Sequence, residues 1–334
     1  MRPFEYLRAD SPAVALSFSS SEAVSSSYFA GGTTLLDLMK LDVLRPDRLV
    51  DINPLRAQYG AIAADASGLT LGALARMAEA AEHPVVRGEF PVVHDALVQA
   101  ACAQLRNMAS LAGNLLQRTR CLYFRDTSWH ACNKRNPGTG CAALHGVNRR
   151  LAVLGVSEHC IAHYPGDLAV ALVALDATLD LAATDGSTRR LPLADLHRPW
   201  GDTPHIETTL APGELITAIR VPAGPWTRRS IYLKVRDRDS YDFALASAAV
   251  ALDLAPDGTV REARVGLGGL AAKPWRAREA EDALRGHPLD EAAADIAAQA
   301  AFAGAVTHGG NAFKPELGRR TLVRALLDAV KRKV

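Results

Sequence analysis

Four of the five cysteines in this chain, Cys121, Cys132, Cys141 and Cys160, crowd into the stretch from Leu105 to Cys160. It opens with LRNMASLAGNLLQ, a small-residue turn, and runs through RCLYFRDTSWHACNKRNPGTGCAALHG, rich in Gly, Pro and Arg. It closes at EHCIAHYPGDLAVAL. A chain of 334 residues can bury a substantial core without such a loop, so the loop implies that something is bound in it. The thiols are spaced C-x10-C-x8-C-x18-C, far from the tight pairs of common zinc ribbons and ferredoxins. Spacing alone leaves open unligated thiols, a structural zinc on four thiolates and an iron–sulfur cluster. Cys102 lies in an Ala-rich segment and reads as a small apolar packing residue.

Five cysteines do not suit a secreted disulfide framework. The formal net charge of +2 gives no footprint for nucleic acid, which would need clustered Lys and Arg on one face. Arginine is locally dense around the cysteines, at Arg118, Arg120, Arg125, Arg135, Arg149 and Arg150, and reads as a solvated surface or a protein interface. No apolar run reaches the length of about 18 residues that a membrane helix requires. MRPFEYLRADSPAVALSF has no basic segment leading into an apolar core, so no signal peptide is read.

Taken in order, SPAVALSF predicts a short helix followed by a Ser-rich turn. Tyr28-Phe29-Ala30 predicts a strand, Gly31-Gly32 a turn, and Leu35, Leu36, Leu38 and Met39 the apolar face of a helix ending before Pro46. Leu49-Val50-Asp51-Ile52 is a second strand, completing a small βαβ unit. YGAIAADASGLTLGALARMAE reads as strands and then a helix, and VVHDALVQAACAQLRN as one long helix. After the cysteines come a helix from about Asp167, a hairpin at Asp185-Gly186 and an alternating strand over 214–222. Residues 243–254 read as helix or strand. A hairpin at Asp257-Gly258 leads to a strand over 260–270, and 278–332 are helical with a break at THGGNAFKPELG. Pro222, Gly224 and Pro225 mark a domain boundary near 222–228.

Two loops carry chemistry. Ala30-Gly31-Gly32-Thr33-Thr34-Leu35 joins a strand to a helix, where glycines permit a sharp turn, open amides face outwards and the helix start favours negative charge. It is not G-x-G-x-x-G, so a nicotinamide site is not indicated. Asn107-Met108-Ala109-Ser110-Leu111-Ala112-Gly113-Asn114 again offers amides, Ser and Asn. Either alone suits an ordinary turn; the pair points to a dinucleotide or another phosphorylated ligand. There is no G-x-S-x-G elbow, HExxH or P-loop, and His159 and His163 read as surface or supporting residues beside Cys160.

FAGGTTLLDLMK, QLRNMASLAGNLLQ, YPGDLAVALVALDA and YLKVRDRDSYDFALASAAVAL, in that order, resemble the flavin-binding medium subunit of molybdenum hydroxylases. The cysteine-bearing insertion is similar to that of the flavin subunit of bacterial periplasmic aldehyde oxidoreductases. The resemblance implies an α+β chain: two α/β FAD-binding subdomains, 1–56 and 57–222 with the insertion 115–160, then a C-terminal α+β domain, 223–334, like that of the carbon monoxide dehydrogenase flavoprotein. It implies FAD, with its diphosphate between Ala30, Gly31, Gly32, Thr33, Thr34 and Leu35 on one side and Asn107, Ser110, Gly113 and Asn114 on the other. Asp167 matches an acidic residue that holds the cofactor, and Ile216 and Lys234 match positions lining the flavin ring. Cys121, Cys132, Cys141 and Cys160 match the ligands of a [4Fe-4S] cluster. Ala112 stands where relatives often have Gly.

The implied role is electron transfer. A partner bearing the molybdenum cofactor oxidises an aldehyde, a small partner with [2Fe-2S] clusters passes the electrons on, and FAD here delivers them to an external acceptor. No acid, base or nucleophile for the aldehyde chemistry is expected on this chain. Another molybdenum hydroxylase, a stand-alone FAD-dependent reductase and a zinc-stapled scaffold are the rival readings. The expected location is cytoplasmic, or periplasmic by co-export with a signal-bearing partner, without membrane insertion.

Overall fold

The computed structural model describes residues 1–19 and 24–332. The first sheet is parallel, formed by β1 (Glu5–Arg8), β2 (Ser26–Phe29) and β3 (Arg48–Asp51), with β3 in the middle. Parallel neighbours need crossovers, and the helices Pro12–Ser19 and Leu35–Lys40 supply them. The expected βαβ unit is therefore present, one residue shifted at its strand ends. The Ser-rich turn falls on residues 20–23 and lies outside the described residues.

The second sheet is antiparallel, with strands β4 (Ile62–Asp65), β5 (Gly68–Gly72), β6 (Thr178–Ala182), β7 (Thr188–Pro192) and β8 (Leu215–Pro222) in the order β4-β5-β8-β6-β7. Between β5 and β6 the chain leaves the sheet and builds a set of short helices, the cysteine insertion, and the wholly buried helix Leu168–Ala174. One point differs from the sequence expectation. The segment read as one long helix is two, Pro91–Val98 and Ala103–Met108. Its alanines favour helix, but the carbonyl of Gln99 accepts from Lys234 and Arg236, and that of Ala100 from Arg106. Ala101 turns the chain at φ +50, a left-handed conformation that costs a non-glycine residue roughly 1 kcal/mol or more.

The third sheet is antiparallel: β9 (Ser230–Val235), β10 (Ala246–Leu254), β11 (Val260–Gly268) and β12 (Trp275–Arg276), ordered β12-β11-β10-β9. The helices Arg278–Leu284, Glu291–Phe302 and Lys314–Val330 cover one face. β10 resolves the helix-or-strand ambiguity, because it is buried on both sides. Ala246, Ala248, Val250 and Leu252 face those helices, while Ala249 and Ala251 join the core of the second sheet. A strand covered twice loses polar–apolar alternation and reads as a continuous apolar run. Among the described residues, no helix is long and apolar enough to cross a membrane.

The insertion packs its own small core of Tyr123, Phe124, Ala143, Leu151 and the thiols against Leu38, Trp200 and Ala272. It is pinned to the C-terminal helices by Lys314, wholly buried, whose Nζ donates to the carbonyls of Arg150 and Leu151 at 3.0 Å and of Gly269 at 2.5 Å. Lys314→Met would leave three buried carbonyls without their donor. A loss of about 3 kcal/mol is expected in chemical denaturation, against less than about 0.5 kcal/mol for the exposed Lys331→Met.

Candidate functional site

The site begins where two turns touch. After β2 the chain passes Gly31 and Gly32, the latter at φ +69, and enters the helix Leu35–Lys40. A Cβ on Gly31 would sit 2.0 Å from the carbonyl oxygen of Met108 and 3.0 Å from Cα of Ala109. The first loop therefore lies directly on the second, and only glycine permits it. Arg76 fastens the contact, donating to the Met108 carbonyl and to Asn53 Oδ1, both at 2.7 Å, while Asn53 donates to the Ala30 carbonyl at 3.0 Å. The second loop is stitched to residues 73–77 by backbone bonds from Leu111 to Ala75 and from Ala112 to Ala73. Ser110 caps the helix Leu111–Leu115, its Oγ accepting from the Gly113 amide at 3.2 Å.

A cleft opens on either side of this junction, and Thr33 and Thr34 line both. The first, about 1060 Å³ counted to its open mouth, is walled largely by apolar groups, among them Tyr28, Leu44, Ile52, Leu74 and Ile216. Ala30, Gly31, Gly32, Leu35, Ser110 and Gly113 belong to it. The second, about 1320 Å³, is polar and aromatic; Asn114, Arg120, Arg125, Asp167, Tyr241 and Phe243 face it. Of the residues expected from sequence, Ile216 thus stands in the first cleft and Asp167 in the second. Asn107 is exposed on the helix Ala103–Met108 and lines neither cleft.

Lys234 works through Asp167. Its Nζ lies 2.8 Å from Asp167 Oδ2, and Tyr232 donates to the other oxygen at 2.6 Å. Burial pushes the Asp167 carboxyl above the ordinary range, against the pull of Lys234 and Tyr232. On the opposite wall Asp37 accepts from Arg125 at 2.8 and 2.9 Å and from Arg120 at 3.0 Å. Burial opposes its charge, but the two guanidiniums outweigh burial and hold its pKa below the usual range. Asn114 Oδ1 and Arg120 Nε are buried without a partner in the chain. Both are on residues that line the second cleft.

Arg76, Asp37, Arg120, Arg125 and Tyr232 escaped sequence reading. The arginine density around the cysteines was the available signal, but it reads as surface. Only the fold shows that Arg120 and Arg125 turn inwards to Asp37, and that Arg135 donates to the carbonyls of Tyr123 and Phe124.

The four thiols converge from separate segments. Cys132 and Cys141 pair across a short antiparallel bridge. Asn133 clamps it, donating to the His159 carbonyl at 3.1 Å and accepting from the Gly140 amide at 2.8 Å. Cys121, Cys132 and Cys160 are buried in one cluster, with Cys141 packed against it. Burial pushes the Cys121 thiol up to about 11 even though backbone amides of Phe124 and Tyr123 point at its sulfur. Cys160 is pushed up to about 12 by burial, opposed by Lys134 and the Ala162 amide. His163 is buried rather than exposed; desolvation, then Lys314, Arg150 and Arg120, pull its pKa down to about 3, so it stays neutral. Among the described residues, no three His, Cys, Asp or Glu side chains stand close enough to share one metal ion.

Residues 2–224 match the family described as FAD binding domain in molybdopterin dehydrogenase, and 231–329 match the CO dehydrogenase flavoprotein C-terminal domain. The chain is 47% identical over 329 residues to the aldehyde oxidoreductase FAD-binding subunit PaoB of Escherichia coli, covering 98% of this chain and 99% of that one. It is 28% identical to the glyceraldehyde dehydrogenase medium chain of Sulfolobus acidocaldarius, covering 89% and 86%. Its fold matches that of a chain of the carbon monoxide dehydrogenase from Hydrogenophaga pseudoflava with a TM-score of 0.76 at 24% identity, covering 100% and 99%.

Gly31→Ala must part the two loops, because the obstructing atoms are backbone. FAD retained after gel filtration, read as the flavin-to-protein absorbance ratio, is expected to fall about tenfold or more. Gly88→Ala, whose new methyl meets nothing within 4 Å, is expected to leave the ratio unchanged.

Proposed function

The chain belongs to the family of FAD-binding medium subunits of molybdenum hydroxylases, and from that premise we propose that it is the electron-transfer flavoprotein of a heterotrimeric molybdenum-dependent aldehyde oxidoreductase. The observation that carries this reading is the end-to-end identity with an aldehyde oxidoreductase flavin subunit, 47% over 98% of the chain. The partners are a large subunit bearing the molybdenum cofactor, where the aldehyde is oxidised, and a small subunit bearing [2Fe-2S] clusters.

The residues fit FAD. The diphosphate lies over the junction of the two loops, where the helix starts at Leu35 and Leu111 leave amides without intrahelical acceptors. Thr33, Thr34 and Ser110 offer hydroxyls beside them. The apolar first cleft, lined by Ile216, takes one half of the dinucleotide. The second cleft takes the flavin, whose polar edge finds Asn114 Oδ1 and Arg120 Nε unpartnered. Lys234 and Tyr232 hold Asp167 in place at that cleft. Bound FAD supplies the capacity to accept electrons singly and release them singly or in pairs. The chain contributes orientation and electrostatics, and no proton-transfer group for the aldehyde step is assigned to it.

The same reading assigns a [4Fe-4S] cluster to Cys121, Cys132, Cys141 and Cys160. The fit rests on Cys121, Cys132 and Cys160 buried in one cluster with the half-buried Cys141 packed against it, and on backbone amides aimed at two of the sulfurs, the donors that tune such clusters. Cys121, Cys132, Cys141 and Cys160 would hold such a cluster, which would supply one-electron redox capacity beside the flavin. Thiols with pKa values near 11 and 12 are protonated at neutral pH, so loading must displace protons. The three sheets are read as the three units 1–56, 57–222 and 223–334.

The purified complex is expected to show flavin bands over a broad iron–sulfur shoulder. Cys132→Ser should abolish the iron carried by this chain, measured on the separated subunit, while retaining most of the FAD. Equal loss of both would mean that the cluster holds up the flavin fold, and a colourless, zinc-loaded chain would sink the assignment.

A further inference from the structure

The first cleft is apolar over most of its wall, yet a cation stands in it. Among the described residues that line it, Arg118 is the only Lys, Arg or His, and Glu214 the only carboxylate. That carboxylate is already matched, accepting from Arg189 at 2.6 and 2.7 Å and from the Ala211 amide at 2.7 Å. Arg118 is held from two sides. Its Nε donates to Glu207 Oε1 at 2.7 Å and its Nη2 to the same oxygen, while the guanidinium carbon lies 4.5 Å from the centroid of the Phe124 ring. The side chain is 22% exposed, and among the described residues no hydrogen bond engages its Nη1. Glu207 takes one edge of the guanidinium and Phe124 one face, which leaves the other edge for what occupies the cleft.

The cleft borders the ridge over which the diphosphate lies: Thr33, Thr34, Ser110 and Gly113 line it together with Arg118. A diphosphate carries a negative charge on each phosphate, and those loops offer it only neutral donors. The helices that begin there are six and five residues long, too short for aligned peptide dipoles to gather much positive charge. The arginines of the second cleft are engaged elsewhere. Arg125 donates to both oxygens of Asp37, Arg120 to one of them, and Arg238 to the Tyr241 carbonyl. A bond from Arg to phosphate is among the stronger contacts a side chain makes, and a guanidinium already oriented by a carboxylate and a ring loses little freedom in making it.

We propose that Arg118 is the cationic contact for the diphosphate of the bound dinucleotide, supplied to the flavin site by the cysteine-bearing insertion. This rests on the FAD reading above and goes beyond it, for there the two loops supplied only amides and hydroxyls to the phosphates. The insertion is then a working wall of the cofactor site through Arg118 and its clamps, Glu207 and Phe124, independently of what the thiols hold.

The test compares ADP with adenosine as competitors for FAD, in the assembled complex stripped of its flavin. The wild type should prefer ADP. Arg118→Gln, which keeps an amide donor but carries no charge, should lose about tenfold of that preference, with a fall of about tenfold in FAD affinity. Arg118→Lys should recover part of both. A merely structural role would weaken ADP and adenosine together and leave their ratio as in the wild type, and that outcome overturns the inference. Should Arg118→Gln fail to assemble, Arg118→Lys decides: its ratio must fall below that of the wild type, since a point charge does not reproduce an oriented fork, and an unchanged ratio overturns the inference. A wild-type complex that binds no FAD overturns the FAD reading and this inference together, whereas FAD binding with an unmoved ratio overturns this inference alone.

Discussion

The cofactor end of the protein hangs on the contact between Gly31 and the backbone of Met108 and Ala109. No Cβ fits there, so the first βαβ unit can rest on the second subdomain with its loop amides and hydroxyls on a shared ridge. Arg76 makes the contact rigid by bonding both sides of it, one directly and one through Asn53. From that ridge follow the two clefts and their common threonines. A close backbone approach of this kind is unforgiving, because the obstructing atoms have no rotamers by which to move aside.

The insertion is tied to every other part of the chain, and the ties differ in strength. Asp37 joins the crossover helix Leu35–Lys40 to Arg120 and Arg125, partly buried and charge-assisted. Lys314 bonds three interior carbonyls, two of them in the insertion. Arg149 and Arg150 reach Asp237 and Asp242 near the surface, where such pairs contribute about 0–1 kcal/mol. The buried ties decide where the loop sits; the exposed ones confine the 236–243 segment beside the second cleft. A loop fixed at this many points holds its thiols in place from several directions at once.

Local elements were legible wherever a residue's neighbours along the chain are also its neighbours in space. The strand–Gly-Gly–helix around 28–40, the hairpin at Asp185-Gly186 and the alternating strand over 214–222 are of this kind. Long-range competition hid the rest. The alanines of 99–103 favour helix, but Lys234 and Arg236, from β9 and just beyond it, take the carbonyl of Gln99, Arg106 takes that of Ala100, and the helix breaks. β10 reads ambiguously because two cores cover it. At the site, the small-residue loops stand out in the sequence, since glycine and hydroxyl residues signal themselves locally. Arg76, Asp37 and Arg120 do not, because their roles exist only once distant segments meet. Ile216 and Lys234, placed together by resemblance, stand apart: Ile216 lines the first cleft, whereas Lys234 is buried behind Asp167 and lines neither.

β10 has a consequence for how the protein can be divided. The proline-rich segment near 222–228 separates two sheets along the chain, yet Ala249 and Ala251 complete a hydrophobic core whose other members lie almost wholly before that segment. The linker is thus a seam in the backbone but not in the interior. Either half expressed alone would present a broad apolar face to water, which favours aggregation. Recombination between relatives at this seam would have to carry matching small residues on both sides, so the two halves are expected to change together over evolution rather than to shuffle as independent modules.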